Sequence, residues 1–254
     1  VQLGQPDQQK GREILEQFRL QGVRGDYYLE FELRVLPRHG DERILHGRLW
    51  GSRNADGPVS RVSIQPADAG AAELRLLVQS GAAPALWQWQ GGATEALDVA
   101  ALFTPVAGTD LTPFDLQMPF LYWPDFVYEG LVRSHGRPAH QFLLYPPPEL
   151  AARHPELTAV RVDLDTQFVA LVEAELISGG GKPLKAVSVL DLKKIGDQWL
   201  VKAIDLRDET TRNKTRFAVT AAALNLRLPA GLFAPAGLGE PAPVPPELVR
   251  LTGP

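Results

Sequence analysis

The cleanest pattern in the chain is strict alternation between Tyr27 and Val35. Tyr27, Leu29, Phe31, Leu33 and Val35 fall on one side of an extended strand and Tyr28, Glu30, Glu32 and Arg34 on the other, which predicts one dry face and one wet face. Upstream, Ile14, Leu15 and Phe18 recur at three- and four-residue spacing within residues 7–21, among Gln, Lys, Arg and Glu. That period predicts an amphipathic helix, stopped at Gly22. Downstream, apolar runs of strand length at residues 44–50, 59–64, 74–78 and 86–90 are separated by Asn54-Ala55-Asp56-Gly57-Pro58, Asp68-Ala69-Gly70 and a further short break. Turns this short predict a meander of neighbouring antiparallel strands.

Within residues 97–123 the period changes. Two short helices fit residues 97–103 and 111–116 better than strands, and Thr112 followed by Pro113 suits a cap and first helical position, where proline's missing N–H costs nothing. Phe114, Leu116, Met118, Phe120, Leu121, Tyr122 and Trp123 crowd the ten residues that follow, broken by Pro119 and closed by Pro124. Any helix here is therefore short or kinked, and its first reading is a core element.

Strands resume at residues 126–132 and 139–145 around the turn Ser134-His135-Gly136-Arg137-Pro138, a predicted hairpin ended by Pro146-Pro147-Pro148. One helical turn is expected near residues 149–154. Five further strands are predicted at 160–164, 168–177, 184–192, 198–206 and 215–223. Beyond Asn225 the text turns Pro-rich, with too few apolar anchors for a core, and reads as a covering tail. The organisation expected is one domain over residues 1–240 and a Pro-rich tail over 241–254.

Composition narrows the function classes. The 254 residues carry 30 acids against 26 bases, a net charge of −4, and 44% are apolar. That balance lacks the basic field nucleic-acid binding needs. Cysteine is absent, which excludes a disulfide scaffold, thiol catalysis and cysteine-ligated metals. The longest uncharged stretch, residues 76–94, contains glutamines, a proline and glycines and reads as strands and a turn. The opening residues Val1 to Pro6 have neither a basic region nor an apolar run, so an export signal, if the protein is periplasmic, is expected to have been removed.

Candidate chemistry is sparse. The chain has no nucleophile elbow, zincin, Walker or dinucleotide motif. Gly179-Gly180-Gly181-Lys182 precedes Pro183 and a strand instead of a helix N-terminus, so it reads as a hairpin turn. Asp163 and Asp165 share a strand face without a nearby histidine and read as a solvated face. Ser134 and His135, with His140 and Asp125, form the one constellation that could assemble a nucleophile and base, and a solvent-facing turn is the reading preferred. No catalytic residue, metal ligand or cofactor is therefore assigned.

A sheet of some ten or more strands with few helices must either close or curve around a cavity. The second half resembles the bacterial outer-membrane lipoprotein-sorting family, the LolA-like carriers. The resemblance runs through Thr112-Pro113-Phe114-Asp115-Leu116, Val127-Tyr128-Glu129-Gly130, Gly136-Arg137-Pro138-Ala139 and Val160-Arg161-Val162-Asp163. It continues through Gly181-Lys182-Pro183-Leu184-Lys185, Lys194-Ile195-Gly196-Asp197-Gln198-Trp199 and Asn225-Leu226-Arg227-Leu228-Pro229. It implies a mainly β (α+β) fold, a strongly curved antiparallel incomplete β-barrel with short helices as a lid over an apolar cavity. It further implies a monomeric periplasmic carrier, not an enzyme, that takes up acyl chains of lipoproteins or another lipid, with an inner-membrane transporter and an outer-membrane acceptor as partners. On that reading Leu29, Phe31, Leu33 and Trp50 are wall candidates, and Phe114, Leu116, Phe120 and Leu121 are lid candidates. The alternative is a sensor on the same scaffold that binds a membrane regulator protein.

Overall fold

The structure, a computed structural model, describes residues 5–66 and 70–251. Val1 to Gly4, and Asp68 and Ala69 of an expected turn, lie outside the described residues. Helix α1 (Gln8–Leu20) forms where the 3.6-residue period places it, and the Asp7 side chain accepts the N–H groups of Gln9 and Lys10 as its cap. Six strands follow as a meander: β1 (Asp26–Leu36), β2 (Arg43–Asn54), β3 (Gly57–Gln65), β4 (Leu74–Gln79), β5 (Ala85–Gln90) and the unexpected short β6 (Ala93–Ala96). A 3-10 turn at Val99–Phe103, helix α2 (Pro113–Gln117) and a second 3-10 turn at Pro119–Tyr122 make up the helical stretch. The second meander comprises β7 (Phe126–Ser134), β8 (Arg137–Leu144), β9 (Ala159–Asp165), β10 (Leu171–Ile177), β11 (Pro183–Ile195), β12 (Gln198–Asp208) and β13 (Lys214–Leu226). Helix α3 (Pro148–Arg153) lies between β8 and β9, and β14 (Val249–Arg250) ends the fold.

All fourteen strands belong to one sheet, ordered β6-β5-β4-β3-β2-β1-β13-β12-β11-β10-β9-β8-β7, with β14 added beside β13. The first meander therefore runs outward from the centre to one edge, and the second runs inward from the other edge. They meet where β1 pairs with β13. β6 and β7 are not paired to each other, so the barrel stays open. Leu86 of β5 and Phe142 of β8 nevertheless belong to one buried cluster, although they sit near opposite edges, because the sheet curls around that cluster.

Two local devices shape the concave face. A bulge in β13 shifts register between the pairs Glu30–Ala221 and Phe31–Val219, so Val219 and Ala222 both end up facing inward, opposite Phe31 and Leu29. Directly opposite Phe31 on β2 stands Gly47, where a Cβ would come within 2.2 Å of the ring's Cζ. The glycine is the space that lets Phe31 lie flat across the sheet.

The edges are managed differently. β6 is short and fully exposed. At β7 the Gln8 side chain imitates a missing strand, its Nε2 donating to Tyr128 O at 2.8 Å and its Oε1 accepting the Tyr128 N–H at 2.9 Å. Gly11 brings α1 down onto Tyr128, because a Cβ there would stand 2.4 Å from the tyrosine Cβ. The tyrosine hydroxyl in turn meets His140 Nδ1 at 2.8 Å.

The convex face corrects two expectations. Tyr28, expected on the wet side, is fully buried, and burial with the neighbouring Glu30 carboxylate pushes its phenol up to about 12. The segment expected to have too few anchors covers it: Leu232 packs on Tyr28 and Trp50, and Leu238 on Val59 and Leu77. Rich in proline and glycine, this strap has carbonyls that no ladder satisfies, and two arginines of the sheet take them. Arg61 donates to Gly237 O at 2.9 Å and Leu238 O at 3.2 Å, and Arg75 to Gly239 O at 2.6 Å while lying 4.4 Å over the Trp89 ring.

Asp163 and Asp165 are a third correction. Both are buried, Asp163 accepting from Gln141 Nε2 at 2.9 Å and Asp165 from the N–H groups of Gln167 and Phe168. The second contact closes an Asx turn, which is why β10 begins at Leu171 and Phe168 stands in the loop.

Replacing Gly11 by alanine should lower unfolding free energy by about 1–3 kcal/mol despite alanine's better helix propensity, because the added methyl overlaps Tyr128; a denaturant titration checks it. Burial, with a smaller contribution from Lys10, holds the His140 imidazole below its ordinary range, so the folded state binds fewer protons there than the unfolded chain. Stability should hold above neutral pH and fall as pH drops below about 6.5, until the folded value is passed, and His140→Gln should remove that part of the slope in thermal melts.

Candidate functional site

The helical stretch is the connection from edge strand β6 to edge strand β7, and it runs across the concave face. Its local sequence builds it in short pieces. Thr112 caps α2, Pro113 opens it, and Asp115 closes a capping box by accepting the Thr112 N–H and hydroxyl at 2.7 Å each. Met118 then turns the chain with φ +46° into the Pro119–Tyr122 turn.

Both ends of α2 are latched to the sheet. At its start, Asp115 Oδ2 pairs with the Lys185 ammonium of β11, in a site where both side chains are buried. Lys185 also donates to Asp110 O at 2.5 Å, and Asp110 Oδ2 accepts the Thr215 hydroxyl of β13 at 2.7 Å. Asp115 Oδ1 is buried without a partner, so this carboxylate is held by one oxygen. At its end, Gln117 Nε2 donates to Gln79 O at 2.9 Å and Ser80 Oγ to Gln117 O at 2.9 Å. α2 thus spans from β11 and β13 to β4. The following turn is held by α1, where Arg19 Nε donates to Leu121 O at 2.5 Å and the guanidinium lies 5.6 Å over the Tyr122 ring.

Beneath these latches the contacts are aromatic. Phe114 stacks on Phe103 with centroids 4.5 Å apart, and Phe120 and Trp123 lie 5.7 and 6.2 Å from it. On the sheet side, Phe31 stacks on Phe217 at 4.4 Å. Leu29, Phe31, Leu33, Phe114, Phe120 and Leu121 all join one buried cluster, and Leu116 packs against its margin. The residues expected as lid and as wall, Trp50 apart, thus belong to or pack on the same buried cluster. The best-formed depressions among the described residues are about 410 and 360 Å³. One is lined by Glu30, Phe31, His46, Arg48 and Glu73, and so touches one wall candidate, and the other by the segment Leu20 to Asp26 with Arg53.

Trp50 does not join the other candidates. It pairs with Tyr28 and Arg61 on the convex face and donates its indole N–H to Pro243 O at 2.7 Å. The alternation of Leu45 and Leu49 on the concave side already places Trp50 opposite to them. Lys185, in contrast, has no such signal, since its partner lies on an element 70 residues away in the chain.

Ser134, His135, His140 and Asp125 are not assembled. His135 Nε2 faces Glu173 at 3.2 Å, and His140 holds Tyr128. Among the described residues no group of His, Asp and Glu could hold a metal ion, and no helix is long and apolar enough to cross a membrane.

The sequence matches no protein-family model and no curated protein. Solved structures do match. A protein domain described as outer membrane lipoprotein-sorting, from Vibrio parahaemolyticus, superposes with TM-score 0.79 at 18% identity, over 92% of this chain and 100% of that one. A DUF1329 family protein from Desulfovibrio piger gives 0.75 at 14% identity, over 91% and 98%. A LolA superfamily protein from Nitrosomonas europaea gives 0.65 at 15% identity, over 88% and 96%. The chain thus shares the fold of these solved structures, among them an outer membrane lipoprotein-sorting protein domain and a LolA superfamily protein.

Proposed function

We propose that this protein is a periplasmic carrier that binds the acyl chain of a lipoprotein or another lipid between the concave sheet and its helical cover, for transfer towards the outer membrane, with no covalent step. Residues 1–240 act as one binding unit, with 241–254 as its Pro-rich tail, and Leu29, Phe31, Leu33, Phe114, Leu116, Phe120 and Leu121 are the groups that would meet the ligand. The observation that carries the reading is the construction of the cover: short helical pieces, apolar on their underside, fixed to the sheet by discrete polar contacts at each end. A cover built this way lifts as a unit without unravelling a strand.

On this reading Phe114 and its aromatic neighbours fill the place the guest would take. The magnitudes allow exchange. Breaking a buried ion pair costs about 3–5 kcal/mol. Burying an acyl chain returns about 0.8 kcal/mol per CH2, so on the order of five methylenes offset the latch.

Native mass spectrometry of protein extracted from cells should find lipid adducts, and a fluorescent fatty acid should bind in competition with them. Repeated recovery without adducts, together with no uptake of the probe, would overturn the reading. Asp115→Asn keeps the side chain's shape but leaves Lys185 without its counter-charge. It should lower stability by about 3–5 kcal/mol while tightening probe binding, because the closed state alone contains the pair. A variant that loses stability with unchanged probe affinity would show that α2 is core and not a gate.

A further inference from the structure

One end of the sheet carries an apolar patch that the carrier reading leaves unused. Leu20, the last residue of α1, is 82% exposed, Trp199 at the start of β12 is 54% exposed, and Phe168 in the β9–β10 turn is 48% exposed. Three separate segments bring them together. The Gln21 side-chain amide faces the carbonyls of Phe168 and Val169 and, with its oxygen and nitrogen exchanged, donates to them at 3.3 and 3.2 Å. The Arg24 N–H reaches Gln198 Oε1 at 2.7 Å. The Phe168 and Trp199 rings lie 6.2 Å apart. Each of the three side chains thus stands at the end of an element or in a turn, so the patch is a set of tips and not a flat strand face.

The charge around these tips is basic although the chain as a whole is acidic. Lys194 is directly opposite Trp199 in the β11–β12 ladder and shares its face, Lys193 stands opposite Leu200 on the other face of the same hairpin end, and both lysines are exposed and make no ion pair among the described residues. Arg137 is exposed on the β7–β8 turn, which is joined to the Phe168 turn by the Thr166 N–H bonding to Pro138 O. Of the exposed acids nearby, Asp197 already pairs with Arg24, and Glu16 stands one turn before Leu20 on α1.

Exposed tryptophan and phenylalanine flanked by unpaired lysines fit the headgroup region of a bilayer, where the rings sit at the apolar boundary and the ammonium groups meet phosphate. We propose that this end of the molecule, through Leu20, Phe168 and Trp199 with Lys193 and Lys194, docks reversibly on an anionic membrane surface. The docking does not require the core to hold a lipid, so it stands or falls separately from the carrier reading.

Vesicle flotation tests it, with vesicles of phosphatidylcholine alone or mixed with phosphatidylglycerol. The protein should float with the mixed vesicles, and less so as salt is raised. The Lys193→Glu, Lys194→Glu pair should weaken that binding by at least on the order of tenfold, since each basic group near an anionic surface contributes about fivefold. The Phe168→Ala, Trp199→Ala pair should reduce flotation while leaving the thermal melt and any fatty-acid probe binding unchanged. No flotation with either vesicle, including the case in which the patch instead captures a purified protein, would overturn the proposal. So would flotation that survives both variant pairs.

Discussion

The structure depends on one topological constraint: a chain whose two meanders share a central strand pair must travel from one edge of the sheet to the other. β6 ends the first meander at one border and β7 begins the second at the other. The connection crosses the concave side, where the curl of the sheet leaves a dry surface. That path explains why residues 97–123 are so apolar and why they are broken into one-turn pieces. A long straight helix would not follow the curve, whereas Pro113, the left-handed Met118 and Pro119 bend the cover to it.

How the cover is held decides what it can do. Aromatic contacts between Phe103, Phe114, Phe120 and Trp123 supply area without direction, and the polar latches at either end supply position. A buried pair such as Asp115–Lys185 adds little net stability over an apolar equivalent, yet it resists the loss of either partner and fixes where α2 sits. On the proposed carrier reading, an apolar guest competes with the aromatic underside and has to outweigh only a few such contacts. The same arrangement would then serve as a well-packed core when closed and as a separable lid when a greasy chain is bound.

The convex face shows the opposite use of irregular chain. Residues 227–251 run over Tyr28, Trp50 and Leu77 with almost no ladder pairing apart from β14. Their carbonyls are satisfied by Arg61 and Arg75, whose own burial is tolerable because several backbone oxygens converge on each guanidinium. This doubles the covering of the central strands near Tyr28 and Trp50, whereas the paired ends of β12 and β13 stay polar at Asp205 and Arg216.

The sequence by itself determined twelve of the strands, their succession in two meanders, the extent of α1, the Thr112-Pro113 start of α2 and the dry set Leu29, Phe31, Leu33 and Val35, but not β6 or β14. All of these follow from spacing within a few residues, which the backbone periods of 2 and 3.6 turn directly into faces. It also carried, unread, the parity that separates Trp50 from Leu45 and Leu49. What the tertiary structure alone decided are relations between distant segments: Lys185 meeting Asp115, the Gln8 amide completing the β7 edge, Gly11 and Gly47 yielding room to Tyr128 and Phe31, and the C-terminal strap drying Tyr28. No local period encodes these. A charge or a glycine looks the same in sequence whether it faces water or a partner a hundred residues away, and the choice is made only when the closing sheet brings the two within a few ångströms.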